Sequence, residues 1–275
     1  MAEVVGGRRR PHDPSRIGRE DVMPRRVRVL LTMVLASALA AAGPARAEEV
    51  RVLTAGAFKQ VLLAAAPDWE RESGHRLVVD NDTAGALARR VVAGESFDLL
   101  IVPPAQMQTL ARAGQVGGDA VPLGRVGIGI AVREGAPRPR IDTLEALREA
   151  LLAAPRIAYI DPASGGSSGN HVAWLLGRLG IAEEVRGRSV LVPGGLVAER
   201  LVDGSADLAI HQISEILPVR GAVLVGPLPA EVQLYTAYSG GLSPTPRQAA
   251  RGLLERLSGP VGREILQAKG MEPPG

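Results

Sequence analysis

RIAYIDPASGGSSGNHVAWLLGRLG, residues 156–180, is the stretch on which the reading of this chain turns. Arg156–Asp161 is a short apolar run of strand length. Asn170–Leu179 places apolar residues at helical spacing and stops at Gly180, a residue suited to the end of a helix. The loop between them is almost wholly glycine and serine. Gly165-Gly166-Ser167-Ser168-Gly169 fits G-x-S-x-G, the strand–turn–helix pattern that presents a serine nucleophile. A small-residue loop opening a helix is equally an anion cradle, because unpaired N–H groups and the positive dipole end face outward there. The first reading makes Ser167 a nucleophile; the second makes the loop a wall of a binding site.

The same strand–loop–helix unit recurs on both sides. Val50–Ala55, Arg76–Asp80 and Phe97–Val102 read as strands, followed by helical patterns at Phe58–Arg71, Gly85–Ala93 and Met107–Ala113. Val126–Val132, Ser189–Val192 and Asp207–Gln212 read as strands, with helices at Leu144–Ala153 and Leu196–Val202. Glu231–Gly241 alternates over a long run, and helices at Arg247–Leu257 and Val261–Ala268 close the chain. Strands alternating with helices predict an α/β fold with a parallel sheet covered on both faces. Two such units, with no low-complexity linker, predict lobes joined by crossing strands.

Four loops are rich in small residues: Thr54–Lys59, Asn81–Ala86, Ser164–Asn170 and Val192–Leu196. Ligands of open α/β sheets bind at the carboxyl ends of strands, so two loops per half predict a cleft between facing lobes. Taken singly, each loop is a tight turn. Tyr235 and Tyr238, on the long alternating strand, are candidates for the cleft wall or for hinge packing. The hydrolase reading needs an acid and a histidine after Ser167. Asp203, Asp207 and His211 supply the order, but no HGGG-type oxyanion loop is present. With 33 glycines, G-x-S-x-G also arises easily by chance.

Composition removes other classes. The absence of cysteine excludes disulfides, thiolate metal sites and cysteine nucleophiles. His75, His171 and His211 are scattered without ligand spacing, so no metal is expected. No Walker A lysine supports nucleotide hydrolysis, and no cofactor is expected. Aromatics at 3% offer no stacking surface for bases or sugars. Of 32 basic and 29 acidic residues, nine arginines and four acids precede residue 48, leaving 23 and 25 for the rest. The body of the chain is thus near −2, with no nucleic-acid footprint.

Those arginines belong to a leader. Arg25, Arg26 and Arg28 follow Met23; Val29–Ala42 is an apolar run of 14 residues; Ala45-Arg46-Ala47 is an A-x-A site. This is the order of a secretory signal. Cleavage before Glu48 and a periplasmic location are expected, with residues 1–22 an over-called start.

The segment from Val50 through Leu110, with Leu87-Ala88-Arg89 before AGESFDLLI, resembles the molybdate-type periplasmic solute-binding proteins. So do DPASGGSSGNHVAWLLGRLGI, GSADLAIHQISEILP and LERLSGPVGREILQAKGMEP, and the resemblance spans residues 48–275. It implies a type II periplasmic-binding-protein fold: two lobes, each a mixed sheet flanked by helices, joined by two crossing strands. The lobes are expected at 48–127 plus 238–275 and at 128–237. It further implies a monomeric, non-enzymatic receptor of an ABC importer that closes over a small anion and docks on a membrane permease. The family's serine after the first strand falls at Ala57, flanked by Gly56 and Phe58. Its second serine falls near Ala84, between Thr83 and Gly85, and its tyrosine near Gln212. Backbone N–H groups at Ala57, Ala84, Ser168 and Gly195 remain as donors. Ser167, Ser168, Gln212 and Tyr235 complete the candidate ligand set. These departures leave the ligand open between a molybdate- or tungstate-like oxyanion and a small organic acid. A periplasmic sensor without transport, and a secreted serine hydrolase using Ser167, are the alternative functions.

Overall fold

The structure is a computed structural model that describes residues 47–274. Apart from Ala47, the leader and its cleavage site lie outside the described residues. The chain opens with β1 (Glu49–Ala55), α1 (Gly56–Ser73), β2 (Arg76–Asp82), α2 (Ala84–Val92), β3 (Leu99–Val102) and α3 (Pro104–Arg112). β1 pairs in parallel with both β2 and β3. The apolar stripe of α1, including Phe58, Val61, Leu62 and Trp69, packs into one core with the strands and with Leu87 of α2. Helical periodicity therefore put these residues on the correct face.

β4 is a 17-residue strand, Gly117–Arg133. Its first part, through Gly127, pairs antiparallel with β9; from Ile128 it pairs with β7 and β8 of a second sheet. The second half continues with α4 (Leu144–Ala153), β5 (Ile157–Ile160), α5 (Ser167–Arg178), α6 (Ala182–Arg186) and β6 (Ser189–Val192). It ends with α7 (Glu199–Val202), β7 (Leu208–Gln212), α8 (Ile213–Ile216) and β8 (Ala222–Pro227). β9 (Tyr235–Leu242) then returns to the first sheet, and α9 (Gln248–Ser258) and α10 (Pro260–Ala268) close that lobe. The strand order is β2-β1-β3-β9-β4-β7-β5-β6, with β8 on β4. The fold is thus two α/β lobes joined through the long strand β4 and the return into β9.

Two expectations are corrected. The sheet is mixed, as the resemblance implies and not parallel as the strand–helix alternation alone predicts, because β4 and β9 run back between the lobes against their neighbours. β4 also begins nine residues before the expected Val126. Its first half carries Gly117, Gly118, Asp119 and Pro122, is partly exposed, and shifts register twice, so no period-two pattern marks it as a strand. The apolar run of β5 has a simple cause: Ile157 and Tyr159 face one core while Ala158 and Ile160 face another. A strand covered on both faces reads as a continuous apolar run.

Candidate functional site

The carboxyl ends of β1, β2, β5, β6 and β7 converge on a cavity of about 40 Å³, measured as space open to the centre of a water molecule. One water needs about 10–15 Å³ by that measure. The space suits a small ion or acid and excludes a sugar chain or a peptide.

Three helices end there. α1 begins at Gly56, directly after β1, and no side chain caps its N-terminus. α5 begins at Ser167 and is likewise uncapped by any side chain. α2 is capped by Thr83, whose hydroxyl accepts from the Ala86 N–H at 3.2 Å. Uncapped helix starts leave N–H donors and positive dipole ends directed at the cavity. Glycine and alanine make this possible by leaving the backbone uncovered. At Gly169, a Cβ would stand 2.3 Å from the Ile160 carbonyl oxygen, so only glycine lets α5 start so close to β5.

The two lobes touch at the cavity rim. The Thr83 hydroxyl donates to the Ser164 carbonyl at 2.7 Å, and the Gly85 N–H donates to the Gly165 carbonyl at 3.3 Å. Deeper in, the Ser214 hydroxyl donates to the Ala57 carbonyl at 2.9 Å. These bonds hold the lobes together around the cavity.

The floor is a hydrogen-bonded network. Gln212 is buried; its amide N–H groups donate to the Ser167 hydroxyl at 2.9 Å and the Thr236 hydroxyl at 3.2 Å. The Tyr238 hydroxyl donates to the Gln212 side-chain amide oxygen, Oε1, at 2.8 Å. Burial, and then the neighbouring Glu215 carboxyl, push the Tyr238 phenol above its ordinary pKa, so it stays protonated.

A second pair lies in the same wall. His211 and Glu215 are both buried, with His211 Nε2 3.3 Å from a Glu215 carboxylate oxygen. Desolvation raises the Glu215 pKa to about 8, opposed only by the charge of Lys59, and lowers that of His211 to about 3. At neutral pH both groups are therefore held uncharged. The His211 Nδ1 is buried without a hydrogen-bond partner. Glu215 reaches across to the other lobe: a Cβ on Gly56 would lie 2.4 Å from its Oε1. The other acid at the cavity, Asp82, accepts from the Thr83 N–H at 2.7 Å and lies 3.5 Å from the Arg90 guanidinium.

The sequence-derived candidates divide accordingly. Gly56, Ala57, Thr83 and Ala84 line the cavity from one lobe; Ser167, Ser168, Gly195 and Gln212 line it from the other. Phe58 does not: it is fully buried behind the wall, its ring 6.3 Å from that of Tyr238. Gly85 forms the lobe contact instead of the lining. Tyr235 is corrected to Tyr238. Alternation along β9 turns Tyr235 outward, 45% exposed and stacked under the Arg125 guanidinium, while Tyr238 reaches the cavity. The hydrogen bonds of Ser167 run to Gln212 and Thr236 and to no histidine, and His171 is bound to the Val232 carbonyl. The nucleophile geometry is absent among the described residues. His211 and Glu215 are the pair that sequence reasoning missed. The signal was their i, i+4 spacing in HQISE, obscured because α8 is only four residues long. Among the described residues no group of three or more histidines and acids forms a metal site, and no helix is long and apolar enough to cross a membrane.

The pattern of the family described as "Bacterial extracellular solute-binding protein" matches residues 50–272, both lobes and both connections. This chain belongs to the bacterial extracellular solute-binding proteins. Within solved structures, this solute-binding protein is similar to the periplasmic molybdate-binding protein of Azotobacter vinelandii. That similarity has a TM-score of 0.64 at 19% identity, covering 82% of this chain and all of that one. It is also similar to L-phospholactate-bound PEB3, with a TM-score of 0.63 at 15% identity over 82% of this chain and all of that one; Peb3 is a Campylobacter jejuni protein. Both likenesses speak to fold. In sequence it is 29% identical over 256 residues to a Pseudomonas protein named aconitate isomerase, covering 89% of this chain and 97% of that one.

Proposed function

We propose that this protein is an extracytoplasmic receptor that closes its two lobes over a small organic acid and delivers it to an ABC-type permease. The observation that carries the reading is the convergence of three helix N-termini from two lobes on one small cavity. A small acid with more than one carboxylate can meet donors from each lobe, so the closed state is the one that satisfies it fully. With the lobe boundaries at 127/128 and 237/238, the middle of β4 and the first residues of β9 form the hinge. Ser167 accepts from both Gln212 and Thr236, which leaves its own proton for the ligand.

The wall favours an organic acid over molybdate. Ala57 and Ala84 offer no hydroxyl, and Glu215 adds a protonatable carboxyl. A carboxyl beside a bound anion favours its neutral form, whose proton then becomes a donor. The relatedness to aconitate isomerase, at 29% over 97% of its length, points to the same ligand class. Thermal shift of the purified protein against trans-aconitate, citrate, phosphate, sulfate, molybdate and tungstate tests this. A ligand at 100 times its dissociation constant adds about 2.7 kcal/mol of stability. Carboxylates should raise the midpoint, and molybdate and tungstate should not. Stabilisation by molybdate alone overturns the organic-acid reading.

A second reading, favoured by the His211–Glu215 pair, is that the cleft also isomerises its acid as the Pseudomonas relative's name describes. A receptor needs donors for its anion; it has no need of a buried carboxyl and imidazole facing the same cavity.

A further inference from the structure

We infer that Glu215 is the catalytic acid–base residue of an allylic proton transfer in this cleft, acting on a small unsaturated carboxylate. The inference rests on the isomerase reading above and assigns its residue and its step. Glu215 lines the cavity, stands against Gly56 at the start of α1, and faces His211 from its own lobe and Lys59 and Tyr238 from the elements packed against it. Among the described residues no lysine or arginine pairs with its carboxyl, so it can gain and lose a proton while a ligand is bound.

The step is balanced without a co-reactant. In its carboxylate form Glu215 removes a proton from the methylene carbon that lies between the double bond and a carboxylate. The C–H bonding pair stays on the substrate as an allylic carbanion, delocalised into that carboxylate, and the double bond moves one carbon along. Glu215, now a carboxylic acid, returns its proton to the far end of the allyl unit: its O–H bond breaks and a new C–H bond forms. The same residue gives and takes the proton, and nothing is oxidised or reduced. The negative charge that develops on the substrate's carboxylate oxygens faces the uncapped starts of α1 and α5. A carboxyl titrating near the working pH is matched to both halves of this exchange. His211 is a positioning residue, holding Glu215 through its Nε2.

The test is proton NMR of trans-aconitate with the purified protein in D2O, beside thermal shift as the binding readout. The wild-type protein should bind and form the cis isomer, with deuterium entering the methylene position whenever the proton on Glu215 exchanges with solvent before its return. Glu215→Gln, which keeps shape and binding, should slow the isomerisation about 10²–10⁴-fold. Glu215→Asp, which keeps the acid one methylene back, should retain an intermediate rate. Isomerisation by the Gln variant at the wild-type rate overturns the assignment of Glu215. Binding by the wild type with neither isomerisation nor exchange overturns the catalytic inference and leaves the receptor reading standing. Absence of any stabilisation by carboxylates overturns the organic-acid reading beneath both.

Discussion

Glu215 and His211 make the cavity titratable, and their opposite shifts give the folded protein a defined pH profile. Over pH 4.5 to 8 the folded state holds a proton on Glu215 that the unfolded chain releases, so that contribution to stability is lost as pH rises through about 8. Over pH 3 to 6.5 the unfolded chain takes a proton that buried His211 refuses, so stability falls as pH drops through that window. Between 4.5 and 6.5 the two oppose each other, and this pair predicts a plateau flanked by declines. From pH 6.5 to 8, denaturant titration of the wild type should show a loss of about 2 kcal/mol relative to Glu215→Gln. Parallel profiles for the two proteins would mean that Glu215 is not held neutral. At the same scale the hydrogen bonds of the Gly/Ser loop separate the two readings of Ser167. Ser167, which fits a nucleophile pattern in sequence, is instead bound to Gln212 and Thr236 at the floor of the cavity.

At the scale of elements, three helix N-termini were legible because each follows an apolar strand through small residues. What stayed hidden depends on contacts between distant segments. Tyr235 and Tyr238 lie on one strand in similar surroundings of sequence, and only the register of β9 on β4 turns one outward and the other inward. Glu215 sits on a single helical turn whose burial comes from α1 of the other lobe, which no local pattern records. The lobe contact is similar: Gly85 reads as a helix start, yet its Cα side faces Gly165. A Cβ there would stand 3.1 Å from the Gly165 Cα and 3.2 Å from its carbonyl oxygen, and backbone cannot move aside as a side chain can. Gly85→Ala should leave the lobes folded, since alanine favours a helix. It should still oppose closure, weakening ligand binding about tenfold through about 1–2 kcal/mol of crowding in the closed state. The measurement is the ligand-concentration dependence of the thermal midpoint; an unchanged dissociation constant would remove the Gly85–Gly165 contact from the closing mechanism.

For the whole molecule, the two-lobe architecture follows from the alternation of strands and helices, and β4 and β9 complete it by running between the sheets. That alternation gave the lobes but not the length of β4, whose first half is hidden by glycine, proline and exposure. The proposed ligand depends on the assembled cleft: helix starts from both lobes and small residues line it, and the buried Glu215 and His211 stand in its wall. The central claim is that this cleft takes a small organic acid. Isothermal titration of the purified protein with trans-aconitate and, separately, with molybdate tests it most directly. Saturable one-to-one heat is expected with the tricarboxylate and none with molybdate; saturation by molybdate with no heat from the tricarboxylate would overturn the organic-acid reading.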